Sequence, residues 1–319
     1  MATAIQSQGV VTAARRRSVG RLALATLGWT VLIAFALIEI LPFAFTVANS
    51  FKCLPAVQSY PRALIPVPPF GVSCVSEEGA PLPARAVSTP TTFNPTLQGY
   101  EEIFDAKLPR WFANTTFFAV VITVLRLVFD SMAGYALARI RFPGNRLLFY
   151  SILGTMMVPP VVLLIPRFII LKHLAMLNTY QGLIVPLAVD AFGIFLMKQF
   201  FESVPGEIEE AAMVDGASRF TMFLRVVLPM ATPALTALAI FSFQGTWNDF
   251  LMPLIILSGK SDLWTLPLGL SFLRGAYGET LRWHAFLAGS VLTTLPLALI
   301  FFYFQRYFVE GISYSGLKG

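Results

Sequence analysis

The chain has 319 residues, of which 56% are hydrophobic and only 13% are charged, and its net charge at pH 7 is +6. This composition excludes an ordinary water-soluble domain, in which roughly a quarter of the residues are charged, and indicates a polytopic membrane protein. The basic residues are dispersed along the sequence and form no patch the size of a nucleic-acid groove. We therefore expect membrane lipid, and no nucleic acid, around this protein.

Six apolar runs approach the ~20 residues that are needed to cross a bilayer. They are Leu22 to Val47, Trp111 to Ala138, Leu147 to Ile170, Gly182 to Phe201, Met230 to Leu257 and Ala285 to Phe304. We predict an all-α polytopic membrane protein with about six transmembrane helices. The expected divisions are an N-terminal tail over 1–21, a first transmembrane helix over 22–48, an external loop over 49–110, a transmembrane domain over 111–308 and a C-terminal tail over 309–319.

Basic residues gather at the ends of the apolar runs and so predict the topology. They are Arg15, Arg16, Arg17 and Arg21 before the first run, Arg139, Arg141 and Arg146 after the second, and Arg306 and Lys318 after the last. Because short loops rich in lysine and arginine stay in the cytoplasm, we expect both termini there, in a multi-pass protein of a bacterial plasma membrane. The first run exceeds the ~7–15 apolar residues of a secretory signal, so we expect an uncleaved anchor.

The external loop contains a stretch rich in proline and alanine, Cys53 to Pro90, to which the sequence assigns no role. Both cysteines of the chain, Cys53 and Cys74, fall in this loop. An oxidising compartment would allow a disulfide between them, and the bonded and free states are equally open at this point.

Motifs for catalysis are missing from the sequence. Its only histidines are His173 and His284, and it has neither an H-E-x-x-H zinc motif nor a G-x-S-x-G nucleophile elbow. Gly259-Lys260-Ser261 matches the end of a P-loop, but Leu254 stands where that motif begins with glycine. We expect no catalytic residue, no metal site and no cofactor in this chain.

Ionisable residues within the apolar runs are candidates for function, because their exposure to lipid is costly. Arg126 and Asp130 are spaced i and i+4, so we expect them to form a structural ion pair on one helical face. Glu39 and Asp190 have no such neighbour and could face the bundle interior, a second chain or a water-filled path.

A charged segment interrupts the apolar pattern between the fourth and fifth runs. Pro205 and the acids that follow it predict a helix N-terminus, and Asp215-Gly216 predicts a turn in which Gly216 has a positive φ. A second short helix is expected to end before Leu228-Pro229. An interfacial helix would favour basic residues, whereas this segment is acidic. It therefore favours a protein partner with basic residues and an apolar groove for Ile208, Ala211, Ala212 and Val214.

Several motifs give the chain a family resemblance. Glu210-Ala211-Ala212, Gly216 and Leu228-Pro229 resemble the EAA loop, through which membrane subunits of ABC transporters dock onto their ATPase. Gly134 to Gly144 is similar to a cytoplasmic turn of carbohydrate permeases. Other motifs of the maltose-type branch are Met157-Val158-Pro159, Leu177-Asn178-Thr179-Tyr180, Gly245-Thr246-Trp247-Asn248-Asp249-Phe250 and Phe304-Gln305-Arg306-Tyr307-Phe308.

The resemblance implies a permease subunit that forms half of the pathway of a binding-protein-dependent carbohydrate importer. Its implied partners are a second permease, a solute-binding protein outside, and an ABC ATPase dimer that uses the ATP and Mg. The coupling loop is placed at 202–229. Its coupling residues are Glu207, Glu209, Glu210, Ala211, Ala212, Asp215, Gly216, Leu228 and Pro229. Oligosaccharides, monosaccharides and glycerol phosphates remain open as cargo.

Two further alternatives concern transport itself. For Trp247-Asn248-Asp249 we favour packing or gating near the translocation pathway over direct sugar contact. The alternative to an ABC importer is an ion-coupled secondary transporter with Glu39, Asp130 or Asp190 as a proton relay. The paired internal repeats that are common in such transporters are not detectable here.

Overall fold

The computed structural model describes residues 2–59, 96–273 and 282–316, in which the regular elements are helical. By its internal contacts the chain divides into two units, Met1–Gly99 and Tyr100–Gly319.

The first unit begins with one long helix, α1 (Ala2–Ser50), followed by the short helix α2 (Leu54–Ser59). Helix α1 runs through the predicted tail and the first apolar run, and its candidate membrane span is Ala25–Ser50. Its end is fixed by side chains, since the Lys52 ammonium donates to the Asn49 amide oxygen over 2.8 Å. Most of the Cys53 to Pro90 stretch lies outside the described residues.

The later helices are α3 (Gln98–Asp105), α4 (Leu108–Arg139), α5 (Asn145–Met156), α6 (Leu164–His173), α7 (Tyr180–Leu187), α8 (Ala191–Ser203), α9 (Gly206–Val214), α10 (Arg219–Met222), α11 (Leu228–Met230), α12 (Thr232–Trp247), α13 (Leu251–Leu257), α14 (Leu266–Phe272) and α15 (Trp283–Gly316). Short 3-10 turns cover Pro160–Leu163 and Ser261–Leu263, and a π-helical turn covers Phe223–Val227.

Four stretches are long and apolar enough to cross a membrane, and two bent helix pairs raise the number to six in the described part of the chain. The four stretches are Ala25–Ser50, Leu108–Arg139, Tyr180–Ser203 and Trp283–Tyr303, and the bent pairs are Asn145–Met156 with Pro160–His173 and Arg219–Met230 with Thr232–Trp247. The pairs bend by 97° and 80°, and Tyr180–Ser203 contains a short break between α7 and α8. The predicted all-α fold with about six spans is confirmed, but three of the six candidate spans contain a break.

Helix α4 is the central element of the second unit, because its side chains enter all three apolar clusters. Trp111 packs with α14 and α15, and Phe118 packs with α7 and α13. Tyr135 packs with Phe201 of α8 and Phe223 of the π-helical turn. A 32-residue helix is about 48 Å long, so α4 connects both faces of a bilayer.

The fourth span is broken between α7 and α8, and two side chains of α4 hold the break. The Arg126 guanidinium donates to the carbonyl of Leu187, the last residue of α7, over 2.8 Å. The Asp130 carboxylate accepts the backbone N–H of Asp190 over 3.1 Å, and Asp190 in turn caps α8 by accepting from the Gly193 N–H. Because hydrocarbon supplies no water to satisfy freed backbone groups, this clamp allows the helix to break inside the membrane.

The expected Arg126–Asp130 ion pair is therefore wrong. No ion pair joins these two side chains in the described structure, and each is used by the break between α7 and α8. Asp130 is fully buried, and its second oxygen lies so close to Gly193 that a Cβ there would come within 2.1 Å of it. Glycine at this position lets α8 approach the carboxylate.

This arrangement predicts different outcomes for two substitutions of Asp130. Asp130→Asn keeps an oxygen for the Asp190 N–H, so we expect a yield of folded protein within about twofold of the unaltered chain. Asp130→Leu leaves that N–H unsatisfied at about 1–3 kcal/mol, and the yield should fall at least fivefold. The monodisperse fraction in size-exclusion chromatography measures the yield.

The control for this pair is Asp105→Leu, at an exposed acid of α3, which should leave the yield unchanged. Equal losses in Asp130→Asn and Asp130→Leu would contradict the clamp, because they would mean that the charge matters and the acceptor oxygen does not.

Candidate functional site

The sequence predicts a coupling loop over 202–229, and we call this stretch the coupling segment after that prediction. Its first part folds as two helices joined by a tight turn. Helix α9 starts after Pro205, and its first turn contains Glu207 and Glu209, where carboxylates meet the positive end of the helix dipole. Helix α10 starts after Ser218, whose hydroxyl oxygen accepts the Thr221 N–H. The predicted helix start at Pro205 is confirmed.

The turn between α9 and α10 closes on Gly216, which has a φ of +78°. The Ala217 N–H donates to the Ala212 carbonyl and the Gly216 N–H donates to the Met213 carbonyl, both over 3.0 Å. These two bonds form a Schellman motif, which requires a left-handed residue at the position of Gly216. The predicted positive φ is confirmed.

The exposed side chains of this helical pair are mainly acidic and apolar. The acidic ones are Glu207, Glu210 and Asp215, the one basic one is Arg219, and the apolar ones are Ala211, Met213, Val214 and Phe220. Val214 is 87% exposed and Phe220 is 63% exposed. Ile208, Glu209 and Ala212 are half-buried, and they face the rest of the protein.

Arg139, the last residue of α4, binds both helix α9 and the end of α8. Its Nε lies 2.9 Å from the Glu209 carboxylate, and both side chains are less than 20% exposed. Its Nη2 donates to the Val204 carbonyl at the end of α8. One guanidinium therefore ties α9 to the ends of α4 and α8, a link that the sequence reasoning missed because its residues are far apart in the chain.

The second helix of the segment does not end before Leu228-Pro229, so that prediction is wrong. Helix α10 passes into the π-helical turn Phe223–Val227 and then into α11, and the bend follows at Met230. Pro229 lies two residues after the π-helical turn, and it donates no backbone hydrogen bond within the continuous helical stretch Arg219–Met230. Leu228 is half-buried and Pro229 is exposed.

An apolar cavity of about 650 Å³ lies beside the π-helical turn. Its wall includes Leu127 of α4, Phe223 and Leu228 of the coupling segment, and Leu235 and Phe243 of α12. The coupling segment is thus packed tightly at Arg139 and loosely at its junction with α12.

The three residues predicted near the pathway have different surroundings. Trp247 is 1% exposed, its indole N–H donates to the Thr293 carbonyl over 3.2 Å, and its ring packs against Phe112. Asn248 is exposed and donates to the Gln244 carbonyl. Asp249 accepts the Met252 N–H and thereby starts α13. Trp247 therefore packs in the interior while Asn248 is exposed, and the placement of these residues near the translocation pathway stays a prediction.

The remaining site predictions concern the cysteines and metals. Cys53 is buried and disulfide-bonded, and Cys74 lies outside the described residues, so the pairing with it stays a prediction. Across the described residues, no group of three or more His, Cys, Asp or Glu side chains is placed to hold a metal.

The family described as binding-protein-dependent transport system inner membrane components matches residues 130–314. This range covers more than half of the chain and includes Asp130, Arg139, the coupling segment and α12. The chain belongs to this family. The predicted resemblance to ABC-transporter permeases is confirmed, and we refer to the chain below as the permease.

Individual relatives agree with this assignment. The permease is 39% identical over 209 residues to the arabinooligosaccharides transport system permease protein AraQ of Halalkalibacterium halodurans, covering 66% of the permease and 74% of AraQ. It is 35% identical over 211 residues to the diacetylchitobiose uptake system permease protein NgcG of Streptomyces coelicolor (66% and 70% covered). It is 31% identical over 232 residues to the trehalose/maltose transport system permease protein MalG of Thermococcus litoralis (71% and 83% covered).

A solved structure has the same fold. It is a chain of a bacterial ABC transporter involved in the import of the acidic polysaccharide alginate, with a TM-score of 0.69 and 23% identity. The similarity covers 89% of the permease and 96% of that chain.

We predict that the permease needs glycine at position 216 for transport. Nothing lies within 4 Å of a Cβ built at Gly216, so Gly216→Val would act only by straining the positive φ, at about 1–2 kcal/mol. We expect solute uptake by the assembled transporter to fall at least fivefold while ATP hydrolysis continues. Uptake and phosphate release in reconstituted vesicles measure the two activities.

Gly206→Val is the matched control, because Gly206 lies at the other end of α9, also has open space, and is not among the residues with positive φ. Its uptake should stay within twofold. Equal effects of the two substitutions would mean that the left-handed turn is not what matters.

We also predict that the Arg139–Glu209 ion pair transmits force between α9 and α4. Glu209→Gln leaves a half-buried guanidinium without its charge partner, and uptake per ATP hydrolysed should fall about threefold to tenfold. The exchange Arg139→Glu with Glu209→Arg restores an ion pair and should recover part of the loss. Recovery should be incomplete because the carbonyl of Val204 would still lack its donor. Glu101→Gln, at an exposed glutamate of α3 outside the coupling segment, is the control, and a Glu209→Gln variant that transports like it would refute this role.

Proposed function

We propose that the permease is one of two membrane subunits of an ATP-driven carbohydrate importer and forms half of its translocation pathway. The observation that carries the proposal is the exposed acidic and apolar surface of α9 and α10, held to the transmembrane helix α4 by Arg139. Such a surface suits docking, and its anchor suits the transmission of movement to the spans.

The proposed docking partner is an ABC ATPase dimer. Glu207, Glu210 and Asp215 would meet basic residues, and Met213, Val214 and Phe220 would enter an apolar groove of the ATPase. ATP and Mg are bound by that partner. When ATP closes the dimer, α9 moves with its groove, and Arg139 passes the movement to α4.

Carbohydrate cargo is proposed from the relatives, whose names describe permeases for arabinooligosaccharides, diacetylchitobiose and trehalose or maltose. A solute-binding protein would deliver the sugar on the outside, and a second permease would complete the pathway. The arginines near the first and last spans support a cytoplasmic location for both termini and for the coupling segment.

The test is to purify the tagged permease from its native membrane in mild detergent and identify the proteins that accompany it. We expect a P-loop ATPase, a second permease and, after reconstitution with the binding protein, carbohydrate uptake that requires ATP. The ion-coupled alternative predicts a permease that purifies alone, takes up solute under a proton gradient without ATP, and loses uptake in Asp130→Asn. That result would overturn the proposal.

A further inference from the structure

The exposed face of α12 carries polar side chains within a candidate membrane span. Gln244, Gly245 and Asn248 are exposed on this face, whereas Leu238, Ser242 and Trp247 on the other side are buried. Gln244 lies 12 residues, or about 18 Å, from the start of α12, inside the candidate span that ends at Trp247. Exposed amides within a span would be costly in contact with lipid.

Aromatic rings adjoin these amides. Phe241, one turn before Gln244, is 46% exposed, and Phe192 in the first turn of α8 is 38% exposed. Their rings meet edge to face with centroids 5.7 Å apart. Phe192 has this position because Arg126 and Asp130 hold the start of α8, as described above.

The face has unused hydrogen-bonding groups and open space. The Asn248 amide nitrogen donates to the Gln244 backbone carbonyl, which leaves its own oxygen as an acceptor, and the Gln244 side chain has no hydrogen-bond partner among the described residues. Nothing lies within 4 Å of a Cβ built at Gly245, so a ligand can approach the helix between the two amides.

We propose that Phe192, Phe241, Gln244 and Asn248 form a binding site for a neutral carbohydrate inside the translocation pathway, an inference that rests on the proposed function. An aromatic ring packs on the apolar face of a sugar, and amides both donate to and accept from hydroxyl groups.

The four side chains of the proposed site are uncharged. Beside them, Asp249 is acidic, and Arg126 and Arg167 lie within electrostatic range of Asp249. The rings and amides themselves suit the hydroxyl groups of a neutral oligosaccharide. A face of the second permease is the competing occupant, and it would bury the amides in place of the sugar.

The test uses the complete importer in vesicles, with radiolabelled maltose, arabinotriose and diacetylchitobiose as probes. With the sugar that the unaltered importer takes up, Gln244→Leu together with Asn248→Leu should lower uptake per ATP hydrolysed at least tenfold. Thr236→Val is the control, because the Thr236 hydroxyl is already bonded to the Thr232 carbonyl and lines the apolar cavity. Its uptake should stay within twofold.

A second measurement identifies the occupant of the face. Asn248→Cys should react with a charged, membrane-impermeant methanethiosulfonate, above the background of the unaltered importer, and the transported sugar should slow the reaction at least threefold. An unreactive cysteine, or one that crosslinks to the second permease, would overturn the site. If the importer is active and the double variant takes up sugar normally, the binding site is overturned but the proposed function stands. If the unaltered importer takes up no carbohydrate, the proposed function is overturned as well.

Discussion

Backbone groups that are released inside hydrocarbon must find partners within the protein, and this constraint organises the permease. The break between α7 and α8 releases a carbonyl at Leu187 and an N–H at Asp190, and α4 supplies a donor and an acceptor one turn apart. The rest follows from this fit. It fixes the start of α8, requires glycine at 193, and orients Phe192 toward α12.

Helix α4 combines this role with two others along its length. Near its start, the Asn114 amide donates to the carbonyls of Asp262 and Trp264, which fixes the turn before α14. At its end, Arg139 holds α9. Helix α4 thus makes polar contacts near its start, in its middle and at its end, and its other side chains enter the apolar clusters. A displacement of α9 would reach the α7–α8 break through a single element.

The sequence predicted what depends on local pattern and missed what depends on partners distant in the chain. Length and hydropathy were enough for the all-α fold and for about six spans, and the Asp215-Gly216 pair was enough for the left-handed turn. The spacing of Arg126 and Asp130 suggested a pair within one helix. Their actual partners lie at a break that apolar residues 182–201 do not reveal, and released backbone groups compete better than a neighbouring charge. The Arg139–Glu209 contact has no local signal either.

The π-helical turn Phe223–Val227 affects the direction in which the following helix α12 runs. A π-helical turn is equivalent to one residue inserted into an α-helix, and each α-helical residue advances the chain by about 100° around the axis. Deleting one residue there would restore a regular helix and swing the 80° bend that follows by about 100°. Helix α12 would then leave the bend in a different direction. A single inserted residue thus sets the direction in which α12 leaves the coupling segment.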